Sequence, residues 1–250
     1  MTDFATYNAF DPLAYLHAYY SGIGTEADGL MQFAVDAFAT LPKEITLLEF
    51  GGGPTIIGMI AAARVANEIH FCDYVPANRN VVQKWLDGDD EDFDWTPFIA
   101  RTLQHEDIPA PTETDIATRV DKLRHLVTQV VPCDLYQTPP VQTDQSYDVV
   151  TAHYCLDAVT NDKKEWHSHI TKMRSLLKPG GTFIMSSLRE AKFSDFGGTR
   201  FPNVHLQEPD VHEALLNTGF NAASINVISA PADHDQREYS GVIFSSANIL

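Results

Sequence analysis

Apolar residues along this chain recur in two rhythms, threes and fours in some segments and short unbroken runs in others, and the two alternate. Leu30, Phe33, Ala34, Ala37 and Phe38 give residues 28–41 a helical stripe that Pro42 ends. Residues 44–50 form a mostly apolar run, the kind of strand that a parallel sheet buries on both faces. Gly51-Gly52-Gly53-Pro54-Thr55 then turns the chain, and residues 56–63 read as a helix with proline near its first turn. A strand at 68–74 precedes a helix opened by Pro76 and Asn78, which carries Val81, Val82, Trp85 and Leu86 inward. Between 115 and 131, Ile116, Val120, Leu123, Val127 and Val130 predict one helix closed by Pro132, with Cys133-Asp134-Leu135 as a short strand end. Residues 147–154 read as a strand. Thr160 or Asn161 caps a helix that faces Trp166, Ile170, Met173, Leu176 and Leu177 to the core until Lys178-Pro179-Gly180-Gly181 stops it. A strand at 182–187, a short helix at 209–216 and strands at 225–229 and 241–246 complete the pattern.

Strand alternating with helix implies a parallel sheet covered on both faces, and the last two strands, with little helix between them, can pair antiparallel. The expected fold is α/β: a doubly wound, mostly parallel sheet of seven strands with antiparallel C-terminal strands and a helical N-terminal cover. The expected organisation is one domain over residues 1–250, with residues 1–42 as the helical lid. Hydrophobic residues at 44% supply a core for such a domain, which excludes global disorder.

Seventeen basic residues against 34 acidic ones leave a formal net charge of −17. That speaks against binding nucleic acid through its phosphates and against docking on an anionic membrane. Three widely spaced cysteines, Cys72, Cys133 and Cys155, form neither a disulfide framework nor a zinc pattern and suit the cytoplasm. The ten histidines show no metal-ligand spacing, and the six carboxylates within 87–94 lack the glycine and closing glutamate of a calcium loop, so no metal is expected.

The chemistry starts at the glycine turn. Glycines at a strand-to-helix turn let a ligand approach the backbone closely, and open α/β sheets bind ligands at the carboxyl ends of their strands. Asp73 ends the second predicted strand, where a carboxylate can accept both hydroxyl protons of a ribose. The third glycine of a dinucleotide fingerprint is replaced by Ile56, and Pro54 removes an N–H that a phosphate would use. The turn therefore favours a nucleoside without a pyrophosphate.

Residues 49–56 (Glu-Phe-Gly-Gly-Gly-Pro-Thr-Ile), Asp73-Tyr74 with Asn78, Phe93-Asp94-Trp95-Thr96-Pro97, Cys133-Asp134, Cys155-Leu156-Asp157-Ala158 and Leu177-Lys-Pro-Gly-Gly181 occur in this order. Together they resemble the class I S-adenosylmethionine-dependent methyltransferases, in particular the group of nicotinamide, phenylethanolamine, indolethylamine and thioether methyltransferases. The resemblance extends from about Tyr7 to Phe244. It implies S-adenosyl-L-methionine as cofactor. Gly51 and Gly53, with Thr55, would lie against its methionine part, and Asp73 with Asn78 would hold the ribose. Asp134 would accept from the adenine amino group with Leu135 beside it, and His153 would lie beneath the cofactor. Tyr7, Tyr15 and Tyr20 would close over the amino-acid end, Tyr20 also serving catalysis.

The resemblance further implies that Glu190 and Glu238 converge above the sulfonium to hold an amine acceptor, since a carboxylate pairs with an ammonium and can take its proton. Ile57, Ser186 and Phe193 depart from the family's usual tyrosine, aspartate and tyrosine, which speaks against nicotinamide as acceptor. The leading expectation is methylation of the amine, or another soft nucleophile, of a small molecule by a monomer or weak homodimer. The alternative is a cyclase of the same fold, in which the cofactor's own amine attacks its γ-carbon to give methylthioadenosine and azetidine-2-carboxylate. A catalytically silent binding module is the least favoured reading.

Overall fold

The structure is a computed structural model that describes residues 7–89, 93–196, 199–234 and 237–250. Part of the acidic stretch at 87–94, residues 90–92, lies outside the described residues. After a short turn at Tyr7–Ala9, α1 (Pro12–Tyr20) and α2 (Thr25–Ala39) precede β1 (Ile45–Phe50). Then come α3 (Ile57–Ile60), β2 (Ala66–Asp73), α4 (Pro76–Leu86), α5 (Thr96–His105), α6 (Glu113–Leu126), β3 (Val127–Pro132), β4 (Tyr147–His153) and α7 (Lys163–Ser175). The chain finishes with β5 (Leu177–Arg189), a hairpin of β6 (Phe193–Phe196) and β7 (Thr199–Pro202), α8 (Glu208–Thr218), β8 (Asn226–Pro231) and β9 (Gly241–Asn248).

The main sheet has seven strands in the order β3-β2-β1-β4-β5-β9-β8. The first five run parallel, and β9 pairs antiparallel with both β5 and β8. Strand order reverses between β1 and β4, which opens a crevice at their carboxyl ends. Side chains alternate across the sheet as the pleat requires. Leu47, Phe71, Val149 and Ile184 face the core under α1, α2 and α4 to α6, whereas Leu48, Cys72, Val150 and Phe183 face the one under α7 and α8.

The helical cover is pinned to this frame. Asp28 on α2 accepts from Arg101 Nε at 2.6 Å and Nη2 at 3.1 Å, and His105 Nε2 lies 2.8 Å from the same carboxylate. Hydrogen bonding from Arg101 holds the Asp28 carboxyl below its usual range. Behind it, Arg119 of α6 forms a two-pronged pair with Glu106 and donates to Ile60 O at 2.9 Å, so both charges are compensated where they are buried.

Four local expectations are corrected. The helix expected over 115–131 ends at Leu126, and the rest is strand β3. Val127 and Val130 fit a helical stripe, but Val127, Val130 and Val131 are β-branched and pair with β2. Pro132 closes this edge strand, where its missing N–H costs no ladder bond inside the sheet. The helix at 56–63 shortens to one turn followed by a 3₁₀ turn over Ala61–Arg64. The cap of α7 is Asp162, whose carboxylate accepts from Lys164 N and Glu165 N. Lys178 to Gly181 is not a stop before β5 but a bulge inside it, because the register shifts between the Tyr147–Leu177 and Val149–Thr182 pairs.

Candidate active site

A cavity of about 330 Å³ opens at the carboxyl ends of β1, β2 and β4, in the crevice where strand order reverses. Its floor is the glycine turn. Gly51 and Gly53 both have φ near +65°, the left-handed region that only glycine enters without strain. They differ in surroundings. A Cβ on Gly51 would meet Cys155 Sγ at 2.1 Å, whereas one on Gly53 would have nothing within 4 Å. Gly51 is thus fixed by packing, and Gly53 leaves space in the cavity wall.

Asp73 leaves the end of β2 and is 6% exposed. It accepts from Gly53 N at 2.9 Å, Val75 N at 2.7 Å and Asn78 Nδ2 at 3.0 Å. Burial raises its carboxyl, and these three donors oppose the rise. Asp134 accepts from Tyr136 N at 2.8 Å, and its own N–H donates to Pro140 O at 2.8 Å, which holds the loop after β3. Leu135 and Asp134 line the same cavity. His153, at the end of β4, stands 2.8 Å from Ser186 Oγ through Nδ1. Burial depresses its pKa to about 4, so the ring is neutral at physiological pH. Beside it Glu49 accepts from Thr151 Oγ1, and burial pushes its carboxyl up to about 7.

The opposite wall is aromatic. Tyr7 OH donates to Ala158 O at 2.6 Å, with its ring 4.8 Å from that of Phe201. Tyr15 and Tyr20 are hydrogen-bonded to each other, and the Tyr20 ring packs 5.9 Å from both Trp95 and Phe98. These tyrosines belong to the folded core as well as to the cavity wall. Burial raises the hydroxyls of Tyr7, Tyr15, Tyr20 and Tyr154 and the thiol of Cys155, so all remain protonated at neutral pH.

The cavity therefore brings together Tyr7, Tyr15, Tyr20, Gly51, Gly53, Thr55, Asp73, Asn78, Asp134, Leu135 and His153. It does not include Glu190 or Glu238. Expected to converge above a sulfonium, both line a second, open depression instead, and Tyr239 borders both spaces. The cause is local. Glu190 has φ +56°, its N–H donates to Leu206 O, and its carboxylate accepts from Gln207 Nε2 at 2.7 Å and Ser240 Oγ at 2.6 Å.

Three residues the sequence did not mark, Glu26, Tyr154 and Tyr239, line the main cavity instead. Tyr239 OH lies 3.0 Å and 2.9 Å from the two Glu26 oxygens. Tyr239 sits beside the expected Glu238, and Tyr154 ends a predicted strand, but no local pattern in the sequence marks Glu26.

The wall also fits a nucleoside-bearing ligand in what it lacks. Asn78 Oδ1, His153 Nε2 and Tyr154 OH are buried without a partner. Buried polar atoms are normally paired, so three orphans around one cavity are groups that a ligand would satisfy.

A family model described as the NNMT/PNMT/TEMT family matches residues 1–249. The chain belongs to this family. It is an S-adenosylmethionine-dependent methyltransferase. Nicotinamide N-methyltransferase from Homo sapiens is 29% identical over 231 residues, covering 88% of this chain and 85% of the relative. Phenylethanolamine N-methyltransferase from Homo sapiens is 26% identical over 260 residues, covering 97% and 90%. Among solved structures, the magnesium protoporphyrin IX methyltransferase from Synechocystis PCC 6803 superposes with a TM-score of 0.57 at 14% identity, covering 98% of this chain and 93% of that one. That likeness establishes the fold, a Rossmann-like methyltransferase sheet.

Proposed function

We propose that this methyltransferase transfers the methyl group of S-adenosylmethionine to the nitrogen of a small molecule. The observation that carries the reading is the joint arrival, in one crevice, of the open glycine turn, Asp73 with Asn78, and Asp134. In this reading Asp73 and Asn78 Oδ1 take the ribose hydroxyls, and Asp134 accepts from the adenine amino group. Gly51, Gly53 and Thr55 lie against the amino-acid part, and Tyr7, Tyr15 and Tyr20 exclude water from it. His153, neutral and uncharged, forms a wall that does not repel a cation.

When bound, the donor supplies a methyl group already activated by its sulfonium. The protein then needs mainly to align an attacking nitrogen with it, and the rate comes chiefly from positioning. Aromatic faces around the site also favour a sulfonium. The tyrosines stay protonated and serve as hydrogen-bond donors rather than bases. The curated relatives named above are N-methyltransferases, and cyclisation of the donor gains nothing from them.

The test is to incubate the purified protein with methyl-labelled S-adenosylmethionine and a panel of small amines and to identify both products by mass. Adenosylhomocysteine with a labelled N-methyl product, formed only when amine is present, is the expected result. Methylthioadenosine released without any amine would overturn the reading.

A further inference from the structure

The aromatic half of the cavity holds one carboxylate whose role neither the fold nor the donor explains. Glu26, in the first turn of α2, is half-buried and faces this space. Its Oε1 accepts from Asp233 N at 2.9 Å, and its own N–H donates to Asp233 Oδ1 at 3.0 Å. Together with the Tyr239 hydroxyl, these contacts fix the carboxylate between two segments 213 residues apart. Two donors occupy a group that offers about four acceptor sites, so capacity remains.

The surroundings match a cation. Tyr15, Tyr19, Tyr20, Tyr154 and Tyr239 line the same cavity as Glu26. Tyr154 OH is buried there without a partner. The nearby Arg237 guanidinium lies 4.4 Å over the Tyr19 ring and donates to Ala18 O at 3.0 Å, and its charge also favours the ionised form of Glu26. A carboxylate flanked by aromatic faces and by a free hydroxyl is what a small ammonium with a hydrogen-bonding or apolar body would occupy.

We propose that Glu26, braced by Tyr239, holds the ammonium of the acceptor, a small amine that binds in its protonated form and passes one proton to this carboxylate before its nitrogen attacks the methyl group. The inference rests on the methyltransferase reading and adds the residue that selects the substrate class. Glu26 takes over the role that the sequence assigned to Glu190 and Glu238. The anchor Asp28–Arg101 two residues further along α2 keeps its backbone in place before any ligand arrives.

The experiment compares two probes on the protein saturated with adenosylhomocysteine: 2-phenylethylamine, a cation, and 2-phenylethanol, its neutral counterpart. The wild type should prefer the amine by roughly 30-fold or more, as for a buried charge pair. Glu26→Gln should erase most of that preference and leave adenosylhomocysteine affinity within about twofold, the neutral amide keeping the same shape. Tyr239→Phe, which leaves the carboxylate in place, should reduce the preference only a few-fold. It also keeps the test readable if the glutamine variant does not fold. Equal binding of both probes to the wild type, no binding of either, or parallel losses of amine and adenosylhomocysteine affinity in Glu26→Gln would overturn the proposal. Failure of adenosylhomocysteine itself to bind would overturn the functional reading on which it rests.

Discussion

The two ends of the cavity are built differently. At the glycine turn Asp73 is held by the N–H of Val75 and the amide of Asn78, which follow closely in the chain, and by the N–H of Gly53 in the turn itself. At the aromatic end, Glu26, Tyr154 and Tyr239 come from three distant segments and meet only because α2 and the loop before β9 pack against each other. The first end is a local solution that recurs as a motif. The second is a product of tertiary packing, and it is where specificity can vary without disturbing the cofactor.

The largest effect expected from breaking this contrast is at Asp73. On the proposed reading Asp73→Ala removes acceptors for two ribose hydroxyls, each worth about 1.5–3 kcal/mol, so S-adenosylmethionine affinity should fall on the order of a hundredfold to ten-thousandfold. The N–H groups of Gly53 and Val75 also lose their acceptor, so the melting temperature should drop as well. Calorimetric titration with S-adenosylmethionine and a thermal melt measure the two losses. Unchanged affinity would remove Asp73 from the site.

Next is the charge buried beneath the turn. The folded protein holds a proton on Glu49 up to about pH 7, whereas the unfolded chain releases it near 4.5. The native state therefore binds more protons across that interval, and stability falls as pH rises through it, by roughly 3 kcal/mol at most. Asp157, also pushed up to about 7, adds a slope of the same sign, and His153, depressed to about 4, opposes it below 6.5. Glu49→Gln should remove the Glu49 share and flatten the decline between pH 5 and pH 8, as denaturant titrations at both pH values would reveal. An unchanged slope would mean that Glu49 is ionised in the native state.

The glycines sharpen the comparison within one turn. Gly51→Ala drives a Cβ into Cys155 and should destabilise the fold by about 1–3 kcal/mol, as overpacking does. Gly53→Ala meets nothing, so its cost to the fold should be limited to backbone strain of about 1 kcal/mol, with the greater loss in ligand affinity. Thermal melts paired with binding isotherms separate the two, and equal stability losses would contradict the packing difference.

The smallest effects are expected at Glu190 and Glu238. Both line the outer depression, and changing each to Gln should leave donor affinity and acceptor KM within about twofold, the usual scale for surface substitutions. A large rise in acceptor KM would return them to the reacting centre.

The same contrast explains what the sequence could disclose. The doubly wound order, the glycine turn and the acid at the end of β2 are encoded over short spans, where apolar runs and turn residues read directly. Strand β3 was hidden because Val127 and Val130 satisfy a helical stripe and a strand equally well, and only pairing with β2 decides between them. The β6–β7 hairpin is too short to leave a period. Glu190 was legible as a residue but not in direction, since its orientation depends on hydrogen bonds from Gln207 and Ser240. Glu26 left no signal because its partners lie more than 200 residues away.

The most direct measurement is a crystal structure of the protein with adenosylhomocysteine and 2-phenylethylamine both bound. The account predicts the ribose hydroxyls on Asp73, the adenine amino group at Asp134, and the amine between the sulfur and the Glu26–Tyr239 pair. A nucleoside bound away from Asp73, or an amine seated in the depression of Glu190 and Glu238, would contradict it.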